Sequence, residues 1–295
     1  MVLSWRVDTA LKKSLQGFLF CLIHQAGVSN LLINKIRQFS FIKRGQWLLP
    51  ASLLFGLGVW QVITVWSGLP AFILPGPVLV WQSFIRTLVN GSLLSNSWVT
   101  LKEVLLGLLL GSSLATLLGY LVAKSRLAER LLAPYLVASQ AIPTVAIAPL
   151  LVIWFGPGMF SKVLICALIV FFPILVNIMI GLRAVPEDLK DLMRSLQASR
   201  WQTLQYLEVP AALPVFLGGL RIGATLAVIG AVVGEFIGAN SGLGFLINVA
   251  RGQYDTALVF VTIFTLVIMA LALYGVVVLL ESRLLAWQSW RQLRK

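Results

Sequence analysis

The sequence predicts an all-α membrane protein of about six transmembrane helices with cytoplasmic N- and C-termini, and three observations carry that prediction. Hydrophobic residues make up 59% of the 295 and charged residues only 11%, with a mean hydropathy of +0.94. A soluble domain of this size could not cover so much apolar surface. Six segments are apolar for about 20 residues or more, the length a helix needs to cross the hydrocarbon core. They fall near 47–67, 99–123, 133–156, 160–182, 213–237 and 256–280. Lysine and arginine, finally, collect on alternate connections. Seven precede the first span, and Lys124, Arg126 and Arg130 lie between the second and third. Arg183, Lys190, Arg194 and Arg200 lie between the fourth and fifth, and Arg283, Arg291, Arg294 and Lys295 follow the last. Only Arg86 and Arg251 stand well clear of the spans on the other side, so the positive-inside rule puts both termini in the cytoplasm. The net charge of +13 reports topology and contact with anionic headgroups of the lipid bilayer, and no nucleic-acid partner is expected.

Taken in order, residues 1–45 form a basic amphipathic N-terminal extension ahead of a membrane domain over 46–295. Its apolar run GFLFCLI is short and is followed by His24, Gln25 and Asn30, which suits a helix lying in the interface. The residues after the run lack a clear small-x-small cleavage site, and a seventh span would put the basic N-terminus outside. Within the spans, Gly107, Gly111 and Gly119 predict close helix packing, and Pro143, Pro149 and Pro173 predict kinks. The single histidine, His24, and the two cysteines, Cys21 and Cys166, are too scattered for a metal site or a structural disulfide. Arg221 and Lys162 are expected to snorkel to opposite interfaces.

The polar passage 186–214 is the exception to this apolar pattern. After Pro186, Glu187 and Asp188 suit the positive end of a helix, and Leu189, Leu192, Met193 and Leu196 fall on one stripe at i, i+3, i+4, i+7. Ser199 and Gln202 have capping-box spacing and open a second helix. Trp201, Leu204 and Leu207 share its face, and Pro210 is expected to close it. The result is an amphipathic helical hairpin held between spans, a shape suited to a partner, with a stiff surface connector as the plainer alternative.

No G-x-x-x-x-G-K-[ST] string occurs, so the chain has no phosphate-cradling loop of its own. Asp191-Leu192-Met193, Gln197, Leu207 and Val209-Pro210 match in spacing the E-A-A…G…I-x-L-P motif of binding-protein-dependent ABC transporter permeases. The identities depart from it: aspartate replaces the glutamate, and Gln197 stands where the family has a turn glycine able to take a positive φ. The flanking runs SQAIPTVAIAPLLVIWFGPG, FFPILVN, VPAALPVFLGGLRIG and GEFIGANSGLG resemble the branch of sulfonate, taurine, nitrate and bicarbonate permeases, and most nearly those for pyrimidine thiamine precursors or riboflavin. The resemblance spans about 47–290. It implies a MetI-like ABC importer permease core in a bacterial plasma membrane and a homodimer of permease subunits. It also implies two separate ABC ATPase subunits that bind the ATP and magnesium, and an extracytoplasmic substrate-binding protein. The chain itself would carry no cofactor and no catalytic residue. The residues expected to couple to the ATPase are Leu189, Asp191, Leu192, Met193, Leu196, Gln197, Leu207 and Pro210.

A translocation path leaves fainter marks. Gln140, Thr144, Asn177 and Glu235 are polar residues inside spans or at their ends and are its candidates. Each has a structural alternative: interhelical hydrogen bonds for Gln140 and Asn177, and for Glu235 backbone amides of the loop Gly238 to Gly244. A stand-alone channel or secondary transporter is the rival function. A membrane enzyme is disfavoured by the lack of histidine clusters and paired carboxylates in the spans.

Overall fold

The computed structural model describes residues 50–141 and 143–286, and it is helical throughout, with no strand among the described residues. It divides into two units, residues 1–68 and 69–295. Of the first, the helix α1 (Pro50–Trp66) is described; the extension expected over 1–45 lies outside the described residues. The second unit runs α2 (Pro77–Val89), α3 (Ser92–Lys124), α4 (Arg126–Ala141), α5 (Thr144–Phe155), α6 (Met159–Arg183), α7 (Glu187–Ser195), α8 (Arg200–Thr203), a π-helical turn (Leu204–Glu208), α9 (Val209–Gly238), α10 (Leu243–Gly252) and α11 (Thr256–Leu284).

Among the described residues, four helices are long and apolar enough to cross a membrane: α3, α6, the continuous helix Arg200–Gly238, and α11. Helices α1, α5 and α10 are apolar but shorter. Helix α6 is the centre of the bundle, packed between α3 and α9, while α11 lies against α9 with most of its surface outward. Small residues permit these approaches. A Cβ on Gly111 of α3 would stand 2.6 Å from the Ala167 carbonyl oxygen of α6, and one on Gly107 would run into the Cys166 side chain. Packing of backbones this close is what holds helices together in lipid, where tails offer no hydrophobic drive for association.

Two expectations are corrected. The third span, expected over 133–156, is two helices: α4 begins far earlier, at Arg126, and α5 restarts at Thr144. Pro143 has no N–H and stands in extended backbone as the N-cap of α5, so the chain breaks here where a kink was expected. Ser125 sets the early start, ending α3 in extended backbone while its hydroxyl accepts from the Ala128 N–H. The second correction concerns Pro210, which does not close the second hairpin helix. The chain widens into the π-helical turn 204–208 just before it, and Pro210 then sits in the first turn of α9. There a missing N–H costs least. The hairpin helix and the fifth span are therefore one rod of 39 residues.

Candidate functional site

The hairpin emerges from the end of the bundle where α3 and α6 finish. Helix α7 carries Glu187 and Asp188 in its first turn and Arg194 in its last, matching both ends of the helix dipole. Lys190 pairs with Glu187 at 2.9 Å, and Arg194 pairs with Asp191 at 2.7 Å. The helix ends in a Schellman cap. The Gln197 N–H donates to the Arg194 carbonyl and the Ala198 N–H to that of Met193. Gln197 itself takes the left-handed conformation, φ 52°, so the turn keeps the glycine geometry with a glutamine in it. A left-handed non-glycine residue carries about 1–2 kcal/mol of strain. Ser199 and Gln202 then form the reciprocal capping box, with the Gln202 N–H donating to Ser199 Oγ and the Ser199 N–H to Gln202 Oε1.

No residue of α7 is buried. Leu189, Leu192 and Leu196 are 42%, 52% and 68% exposed, Met193 is half-buried, and Trp201 and Tyr206 are exposed on the second arm. The hairpin thus holds its shape by local capping while its apolar stripe stays open. Leu207 and Pro210 lie half-buried where this arm joins the bundle.

Midway along the bundle, the break between α4 and α5 faces α6 across an open cleft of about 470 Å³. Thr144 and Asn177 both line it, with Ser139, Phe172 and Pro173 among their neighbours. Asn177 Nδ2 donates to the Pro173 carbonyl at 2.8 Å, and the side chain lies directly over Gly219 of α9, where a Cβ would come within 2.9 Å of its own. Pro173 leaves the Ile169 carbonyl without its helical donor, and both residues line the cleft. The Gln140 side chain lies outside the described residues.

Glu235 is not brought to this cleft. It is 1% exposed at the far end of α9, opposite the hairpin. Its Oε1 accepts from Thr100 Oγ1 at 2.7 Å, and its Oε2 accepts from the Gly244 N–H. The N–H groups of Gly242 and Leu243 donate to Asn96 Oδ1 at 2.7 Å and to Thr100 Oγ1 at 2.8 Å. Helix α10 has no capping side chain of its own, and three residues of α3 and α9 satisfy its first amides instead.

Lys162 corrects another expectation. It is 4% exposed and bonds Glu103 Oε1 at 2.9 Å, with Glu103 itself 1% exposed. Snorkelling is impossible from that position, and the buried carboxylate makes pairing favourable. Arg221 likewise pairs with Glu281 of α11 and lies 5.9 Å from the Tyr274 ring centroid. Sequence reasoning passed over Glu103 and Thr100. The available signal was the carboxylate of Glu103 inside an apolar stretch, which requires a partner in lipid.

A family described as "Binding-protein-dependent transport system inner membrane component" matches residues 103–286. The chain is 47% identical to the riboflavin transport system permease protein of Chloroflexus aurantiacus, over 82% of this chain and 90% of that one. It is 38% identical to the formylaminopyrimidine transport permease protein of Halalkalibacterium halodurans, over 84% of this chain and 99% of that one. Among solved structures, an amino acid ABC transporter superposes with a TM-score of 0.55 at 20% identity, covering 68% of this chain and 98% of that one, which is a likeness of fold. The open hairpin, the helical bundle and these relatives agree: the chain belongs to the binding-protein-dependent transport system inner membrane components and is a permease subunit of an ABC importer.

Proposed function

We propose that two copies of this chain form the translocation path of an importer in a bacterial plasma membrane, with the hairpin and both termini in the cytoplasm. Leu189, Leu192, Met193 and Leu196 enter a groove on a separate ATPase, and Asp191 and Arg194 meet its polar rim. ATP and magnesium are bound on that partner. The observation that carries this reading is the apolar stripe of α7, left open on a hairpin whose turn is fixed by a Schellman cap and a reciprocal capping box. An amphipathic helix with an uncovered face is the usual ligand of an apolar groove. Thr144 and Asn177 line the path, and the Phe172 ring beside these polar groups suits a planar heteroaromatic solute. The riboflavin and formylaminopyrimidine relatives favour the same class.

The test is uptake of labelled riboflavin and formylaminopyrimidine into vesicles containing this chain, with the solute-binding protein outside. Accumulation should require both the ATPase polypeptide and ATP. Uptake from the chain alone would make it a stand-alone channel or secondary transporter. Cytoplasm-dependent reporters fused after Arg130 or Arg200 should be active and those after Arg86 or Arg251 silent.

A further inference from the structure

We propose that the Lys124–Glu208 ion pair is a latch that makes the second arm of the hairpin, α3 and α9 move as one body. The rod Arg200–Gly238 is continuous but uneven. Within 204–214 it holds two prolines and the π-helical turn, in which the Val209 N–H reaches back five residues to the Leu204 carbonyl. Pro210 supplies no N–H to that turn, and Pro214 leaves the Pro210 carbonyl without its helical donor. Widened turns and prolines are the places where helices bend. A lever with such a joint below its span folds at the joint when its free end is drawn.

Glu208 closes the joint. It is the last residue of the π-helical turn, 5% exposed, and its Oε1 accepts from Lys124 Nζ at 2.5 Å. A charge-assisted bond of this kind is among the strong ones. Lys124 is the last residue of α3, with its ammonium 5.4 Å from the Tyr120 ring centroid. Helix α3 is held against α6 at Gly107, Gly111 and Gly119, where a Cβ on the last would come within 3.1 Å of Ile178. The pair therefore ties the bendable stretch of the rod to a closely packed part of the bundle. Beyond the joint, Gly219 of α9 lies against Asn177, whose side chain lines the central cleft. Hairpin arm, joint and Gly219 stand in series along one rod, so a latched joint carries a displacement of the hairpin to Asn177. With the latch broken, bending at the joint takes up the same displacement.

The coupling role rests on the ATPase reading above; the latch itself does not. The test is Lys124→Met combined with Glu208→Gln, which removes the pair and leaves no buried charge unpaired. Hydrogen exchange of the purified full chain should quicken about tenfold at the amides of 204–209, a ratio that one charge-assisted hydrogen bond can supply, and stay unchanged in α10. In vesicles holding the chain and its ATPase, with the binding protein and labelled riboflavin outside, the ATPase should co-purify at full yield and hydrolyse ATP. Uptake per ATP hydrolysed should fall about tenfold by the same arithmetic. Lys124→Arg, which keeps the ion pair, should hold uptake per ATP near that of the unaltered chain. Unchanged exchange at 204–209 in the folded double variant, or unchanged uptake per ATP, would overturn the proposal. Failure of the unaltered chain to bind the ATPase or take up riboflavin would fall on the ATPase reading instead, and the exchange rates alone would then decide the latch.

Discussion

Two turns in this molecule are built alike and sit at opposite ends of the bundle. At one, α7 ends in a Schellman cap with Gln197 left-handed; at the other, α10 ends in the same cap with Tyr254 left-handed, φ 56°. Their surroundings differ completely. After Tyr254, Asp255 accepts from the Leu258 N–H to start α11, Thr256 bonds the Phe72 carbonyl, and the Tyr254 ring meets Phe72 edge to face. Behind this turn lie the trans cap of α10 and the buried Glu103–Lys162 pair. The Gln197 turn has only its own capping box, and the apolar stripe of α7 is open. Equal local geometry with unequal tertiary support separates an end finished within the chain from one whose apolar stripe is left uncovered.

The comparison breaks most sharply at Lys162. Lys162→Met leaves the Glu103 carboxylate buried and unpaired, at a cost of about 3–5 kcal/mol. Thermal unfolding of the purified protein should show a large drop in midpoint or a loss of folded yield. Leu196→Gln on the hairpin should stay within about 0.5 kcal/mol of the unaltered chain by the same assay, because that position is exposed. An effect smaller than that of Lys162→Met is expected from Thr100→Val, which removes the hydroxyl bridging Glu235 and the Leu243 N–H and should cost about 1–3 kcal/mol. Hydrogen exchange should rise in α10 and leave α7 unchanged. The finest distinction comes from the two left-handed residues. Gln197→Gly should stabilise the hairpin by about 1 kcal/mol, whereas Tyr254→Gly should gain less because it forfeits the Phe72 contact. Equal gains would mean that the Tyr254 ring contributes nothing.

What the sequence revealed follows the same divide. The hairpin was legible because its signals are local: a stripe with helical period, acidic residues in a first turn, a serine and glutamine three apart. The four long helices announced themselves through apolar length. The break before Thr144 was half legible, since Pro143 marks the place but cannot say whether the helix kinks or stops. Pro210 misled for a related reason. Its missing N–H is harmless once a wider turn precedes it, and no local residue signals that turn. The opposite end was illegible because its bonds join residues 59, 135 and 146 apart in sequence. Lys162 therefore looked like an interfacial cation, and nothing local marked Asn96 or Thr100.

The measurement that bears most directly on the open hairpin is co-purification of the partner ATPase with Leu192→Asp. A carboxylate on the α7 stripe costs almost nothing in the free chain, where Leu192 is half exposed. In an apolar groove it would stand largely unpaired, at a cost of a few kcal/mol. Membrane insertion and the thermal midpoint should match those of the unaltered chain, while ATPase recovery and ATP-dependent uptake fall at least about tenfold, the loss that 1.4 kcal/mol produces. Recovery of the ATPase at full yield, with normal uptake, would contradict the account and make the hairpin a connector that lies on the membrane surface.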